Sequence, residues 1–202
     1  TPYQLRQPTF TIVNPYTTLP DTYLTSPRVA PPVFGRGLLE AISDETLLGW
    51  ADEDDLDDDG ISGRVNQVWD IVSETTVIGR FGLKANNPSV LVQTAGAYHG
   101  DMGITNELFP EESTAGQPQD DGLSDDPELG EGILDDVVFY IRTLAVPARR
   151  NIDDPKVKNG QMLFDQAGCT ACHIPTVTTG VLEGVPEVSN QVIHPYTDLL
   201  LH

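Results

Sequence analysis

Residues 167–176 read AGCTACHIPT, and this stretch holds both cysteines of a 202-residue chain and one of its four histidines. Cys169, Cys172 and His173 stand as C-x-x-C-H, a spacing that three chemistries use. A structural zinc site needs four ligands, usually with a second cysteine pair or a closely spaced histidine pair. The chain has no further cysteine, and His194 and His202 lack finger spacing. A redox dithiol sits at the start of a helix that follows a strand. Here the pair comes after a predicted helix, Pro155 to about Ala167, which Gly168 breaks. Covalent haem attachment is the reading that uses all three residues. The thiols add to the two vinyl groups, and the adjacent imidazole supplies an axial nitrogen to the iron.

The flank bears on that choice. Residues 158–173, KNGQMLFDQAGCTACH, resemble the opening helix of c-type cytochromes at Lys158, Gly160, Leu163, Phe164, Gly168, Cys169, Cys172 and His173. In that family the glycine at the place of Gly160 lets a later helix cross closely, and the phenylalanine packs at the crossing. Haem is attached covalently where a maturation system delivers it, outside the bacterial cytoplasm. The expected location is therefore periplasmic or otherwise extracytoplasmic. Made in a cytoplasm, the same chain would keep two thiols or join Cys169 to Cys172.

Charge narrows the partners. There are 31 acidic residues against 11 basic ones, a formal net charge of −20. Phosphate backbones and anionic membrane surfaces are repelled by such a chain. The charge suits solubility, or docking to a basic redox partner. No run of about eighteen apolar residues exists, so no membrane span is expected. The first residues, Thr1-Pro2-Tyr3-Gln4, show neither a basic nor an apolar leader pattern.

Sixteen prolines and eighteen glycines imply long irregular connections. Residues 1–34 read as extended, with a short strand at PTFTIV (8–13). Ser43 or Asp44 is a candidate cap for a helix over 45–51. A strand is expected around 76–78 within an otherwise irregular 68–84. Asn87 as cap and Pro88 as first residue predict a second helix, with Leu91, Ala95 and Tyr98 on one face. Residues 111–127 are polar and read as a mobile surface loop. The strongest helical signal is 131–144, where Ile133, Leu134, Val137, Val138, Ile141 and Leu144 recur as one stripe. Residues 146–155 read as a linker. The fold class expected is mainly α with long irregular connections. An acidic helical region spans 1–148, and the first half of a cytochrome c-like haem domain spans 149–202.

An acidic loop offers a second site. Asp55, Asp57, Asp59 and Gly60 occupy positions 1, 3, 5 and 6 of a calcium-loop pattern, and the Ile61 carbonyl falls at position 7. Position 12 is Asn66 rather than glutamate, so the match is incomplete. Met102 and His99, in a glycine-bounded turn, are the candidate distal iron ligands. Trp69 reads as a core anchor, with an electron-relay role as the alternative. Arg80 and Lys84 are candidate partners for haem propionates, or mere balance for the acidic surface.

Several stretches together carry a wider resemblance: DLDDDGISGRVNQVWD, GRFGLKANNPSVLVQTAGAYHGDMGIT, LAVPARR, GCTACHIPTVTTG and PYTDLLLH. From about Arg28 to His202 the chain resembles the bacterial di-haem oxidoreductases often labelled thiol oxidoreductases, distant relatives of the di-haem cytochrome c peroxidases and MauG-type enzymes. The resemblance implies haem-mediated electron transfer, with peroxide as a natural substrate. The family carries another C-x-x-C-H nearer its N-terminus and continues beyond the LLLH element. The chain is therefore expected to be a central fragment, inactive by itself. Two alternatives stand beside this reading: a non-catalytic c-type electron carrier, and a calcium-stabilised scaffold whose C-x-x-C is a simple dithiol.

Overall fold

Helices in this chain begin where a side-chain oxygen or a glycine starts them. The computed structural model describes residues 8–19, 21–23, 25–27, 29–118, 120 and 122–202. Helix α1 (Arg36–Glu40) follows Gly35, whose φ is 71°. Ser43 caps α2 (Asp44–Trp50) by accepting from Thr46 N. A hairpin follows, in which β1 (Gln67–Asp70) pairs antiparallel with β2 (Thr75–Ile78). The strand expected at 76–78 is thus half of a ladder whose other half read as irregular. Asp70 closes the turn by accepting from Val72 N and Ser73 N.

Helix α3 (Val90–Ala97) is capped by Ser89, which accepts from Val92 N at 3.1 Å, and not by Asn87. Asn87 is engaged elsewhere. Its backbone bridges Phe81, and its side chain donates to Gln93 Oε1 at 3.1 Å. Pro88 therefore precedes the helix. Helix α4 (Ile133–Thr143) buries Leu134 and Val138, but Ile133 is exposed, so the apolar stripe starts one residue later than its periodicity implied. Helix α5 (Pro155–Gln166) has Asp154 as cap and Pro155 at its first position. A two-residue ladder joins β3 (Val177–Thr178) to β4 (Val192–Ile193). Residues 8–13 are extended without a strand partner, and 111–118 form successive turns. The architecture is mostly α with long loops.

The chain divides into two compact units, Thr1–Pro32 and Val33–His202. The described part of the first is extended with a few bends and largely exposed. In the second, Phe81, Val90, Ala95, Leu134 and Val138 form one core, with Leu91 and Tyr98 packed against it. Ile42, Leu47, Ile78 and Ile193 form another, uniting the α1–α2 corner, β2 and β4. Helices α1 and α4 cross so closely that a Cβ on Gly37 would lie 2.2 Å from the Arg142 carbonyl oxygen.

Glu40 fastens that crossing. Its carboxylate accepts from Arg142 Nε at 2.6 Å and Nη2 at 3.0 Å, and from Val90 N at 2.8 Å. The side chain is only 7% exposed. Removing one partner of such a pair leaves a poorly hydrated charge and typically costs ~3–5 kcal/mol. Because Arg142 stays partly hydrated, Glu40→Ala is expected to cost about 3 kcal/mol. Urea unfolding checks this; a loss under about 1 kcal/mol, the usual worth of an exposed pair, would remove Glu40 from its structural role.

Candidate functional site

The cysteine motif folds into a single turn. Gly168, with φ of 76°, ends α5, and residues Cys169–Ala171 make a 3₁₀ turn. His173 N donates back to Cys169 O at 3.0 Å, so both sulfurs and the imidazole share one loop of chain. Both cysteines are free thiols of intermediate exposure.

His173 is oriented from behind. Its Nδ1 lies 2.7 Å from the Tyr196 carbonyl oxygen. A carbonyl only accepts, so Nδ1 carries the proton and Nε2 presents a lone pair. A hydrogen bond on the far nitrogen is how metal-binding imidazoles are held in one tautomer. Phe164 meets His173 and Tyr196 edge-on, each at 5.8 Å between ring centroids. Tyr196 and Leu199 have φ of 50° and 61°. Bulky side chains avoid that region at a cost of about 1–3 kcal/mol each. The strained corner is what turns the Tyr196 carbonyl toward the ring.

This donor set fits a c-type haem: two accessible thiols, and one imidazole whose Nε2 is left free. The surroundings fit as well. No residue of α5 is buried, and Met162 and Leu163 are exposed on it. That apolar surface suits a porphyrin edge. The close helix crossing implied at Gly160 is absent among the described residues, where nothing lies within 4 Å of a Cβ built there.

Two residues the sequence reading gave no role join the site. His202 Nε2 lies 2.8 Å from Asp198 Oδ2, and Nδ1 lies 2.8 Å from the Ser62 carbonyl and 3.9 Å from Cys172 Sγ. Asp198 is buried. Desolvation, with the charges of Asp198 and Asp59, pushes the Cys172 thiol above its usual range. The D-x-x-x-H spacing was visible, but it suggests a helical pair, and this segment is not helical.

The acidic loop is closed by paired backbone bonds between Asp52 and Gly63, at 2.8 and 3.0 Å. Within it Gly60 N donates to Asp55, and Ile61 N to Asp59. Asp55 and Asp57 converge with Asp52, their oxygens within 4.8 Å of one another. Asp52 was not among the residues expected, while the Asn66 side chain donates instead to the carbonyls of Lys84 and Ala85.

The remaining candidates lie elsewhere. His99 and Met102 sit in a π-helical turn, Tyr98–Met102. His99 Nε2 bonds the Glu111 carbonyl at 2.9 Å and its ring stacks on Phe109, whereas Met102 is exposed. Trp69 is 63% exposed and is no core anchor; β1 turns it outward, and Trp50 packs in the core instead. Lys84 is exposed. Arg80 is buried, paired with Asp44, and its pKa is lowered by burial.

A family model described as "Di-haem oxidoreductase, putative peroxidase" matches residues 4–202. No curated protein and no solved structure matches the chain.

The environment of Cys172 predicts a rate. The thiolate is the nucleophile, so a raised pKa delays reactivity to higher pH. In Cys169→Ser, alkylation of Cys172 by iodoacetamide is expected to begin at higher pH in the folded chain than in urea. Asp198→Asn is expected to narrow that gap. Equal pH midpoints in the two states would contradict the assignment.

Proposed function

The chain belongs to the di-haem oxidoreductase family, and on that premise we propose that Cys169 and Cys172 carry one of its haems covalently, with His173 Nε2 as the axial donor. The observation that carries this reading is the Nδ1–H bond from His173 to the Tyr196 carbonyl, which leaves Nε2 free beside two accessible thiols. When bound, the haem supplies an iron that gains and loses single electrons. The protein's part is to hold the ligand. The Tyr196 carbonyl fixes the tautomer and makes His173 a stronger donor, and Phe164 restrains the ring against rotation. The exposed apolar side chains of α5, Met162 and Leu163, would help to keep water from the bound group.

In this reading residues 149–202 are the first half of a cytochrome c-like haem domain, and 1–148 form an acidic helical region. The activity is electron transfer in an extracytoplasmic compartment, with peroxide-class substrates reduced by the whole enzyme. The net charge of −20 favours a basic redox partner. Met102 is the freer of the two candidate distal donors, because His99 is occupied by Glu111 and Phe109.

Export through a competent haem-maturation pathway tests the proposal. The denatured chain is expected to keep the added mass of one haem. Replacing both cysteines by serine should abolish that gain, and His173→Ala should keep it while altering the visible spectrum. Colourless exported protein with two free thiols would overturn the reading.

A second site is supported by the convergence of Asp52, Asp55 and Asp57. We assign it to calcium, with Asp59 and the Ile61 carbonyl as the further donors that the loop pattern suggests; Asn66, whose amide is held by the carbonyls of Lys84 and Ala85, is not one of them. Hard oxygen donors of this kind suit that ion. Calcium at a hundredfold excess over its dissociation constant is expected to add about 2.7 kcal/mol of stability. Asp55→Asn should weaken the effect. A denaturation midpoint indifferent to calcium and chelator would remove the site.

A further inference from the structure

The bond that orients His173 comes from a carbonyl on strained backbone. Tyr196 and Leu199 both lie in the left-handed region, with φ of 50° and 61°. Bulky residues stay there only where their surroundings over-determine them. The Tyr196 carbonyl keeps its aim at His173 Nδ1 only while something holds this corner in shape.

Asp198 stands between the two strained residues and is buried. Buried polar groups are kept by their hydrogen-bond partners, and both oxygens of Asp198 are engaged within the same segment. Oδ1 accepts from Leu200 N at 3.0 Å, which fixes the backbone just past Leu199. Oδ2 accepts from His202 Nε2 at 2.8 Å. The other ring nitrogen of His202 meets the Ser62 carbonyl at 2.8 Å, so the ring bridges the segment to a distant loop. Paired backbone bonds between Arg64 and Leu201, at 3.0 and 2.8 Å, run beside that bridge. At the other end Tyr196 N donates to Ile174 O at 3.0 Å, next in the chain to His173. Asp198 links these anchors: one oxygen holds the backbone after the strained corner, and the other holds the ring that reaches Ser62. None of these bonds uses a cysteine sulfur, so they are equally available when Cys172 carries haem.

We propose that Asp198, acting with His202, is a positioning residue for His173: the pair holds the strained corner that presents the Tyr196 carbonyl to His173 Nδ1–H. The consequence at iron rests on the haem reading above, whereas the tautomer of His173 is set in the haem-free chain as well. A hydrogen bond at the far nitrogen raises the basicity of a ligating imidazole. Loosening the corner therefore makes His173 a poorer donor and favours the reduced iron.

Long-range proton–nitrogen NMR of the imidazoles in the reduced, haem-free full chain reads the tautomer directly. His173 is expected to carry its proton on Nδ1. Asp198→Asn and His202→Ala are each expected to raise the Nε2–H form of His173 about tenfold, the scale on which an outer partner acts. His202→Gln, whose amide can still donate to Asp198 Oδ2, should restore the original ratio, and far-ultraviolet circular dichroism identifies a variant that has merely unfolded. In chain exported with haem, Asp198→Asn and His202→Ala are both expected to raise the midpoint potential. Loss of the Asp198 charge by itself would raise it in the first variant and not in the second. An unchanged His173 tautomer in both variants would overturn the proposal, and so would a potential that rises for Asp198→Asn alone. Colourless exported protein overturns the haem reading instead and leaves the tautomer measurement standing.

Discussion

Three helices meet at one carboxylate. Glu40 sits at the end of α1, holds Arg142 of α4 with two bonds and caps α3 through Val90 N. Backbone packing leaves the same junction no slack, because the α1–α4 crossing has no room for a side chain at Gly37. A buried ion pair is weak evidence for stability when compared with an apolar replacement. Here its geometry matters more: one group satisfies a guanidinium and an orphan helix amide at once. Neither need is met by an apolar side chain.

From that junction the structure runs to the cysteine turn by contact. Ala41, next after Glu40, accepts from Gly180 N at 2.6 Å. Ile42 packs with Ile193 of β4. β4 leads into His194, whose Nδ1 bonds the Pro175 carbonyl, and then into Tyr196, which holds His173. The residues that would hold iron thus rest on a short ladder attached to the helical core. Helix α5, which leads into them, buries none of its own side chains.

Local signals in the sequence proved dependable where they concerned one turn of chain. Ser43 caps the helix it was expected to start, the helix expected from Pro155 begins there, and C-x-x-C-H closes into a single turn. The family resemblance agrees with the matched family. Signals failed where a distant partner decides. Asn87 looks like a cap but is taken by Phe81 and Gln93, so Ser89 acts instead. Trp69 looks like core but lies on the open face of a two-stranded ladder. Asn66 fits the twelfth place of a calcium loop, yet the carbonyls at 84 and 85 hold its amide. Asp198 and His202 carry a spacing that suggests a helical pair, but left-handed backbone at Leu199, rather than a helix, sets their separation.

The bond from Ser62 to His202 spans 140 positions, and the Arg64–Leu201 bridge runs beside it. Contacts so distant must close a long loop, and they generally form late. Cys172 therefore gains the imidazole of His202 and the carboxylate of Asp198 as neighbours only once that long loop has closed. The surroundings that raise the Cys172 thiol pKa thus belong to the closed loop and not to the cysteine turn alone.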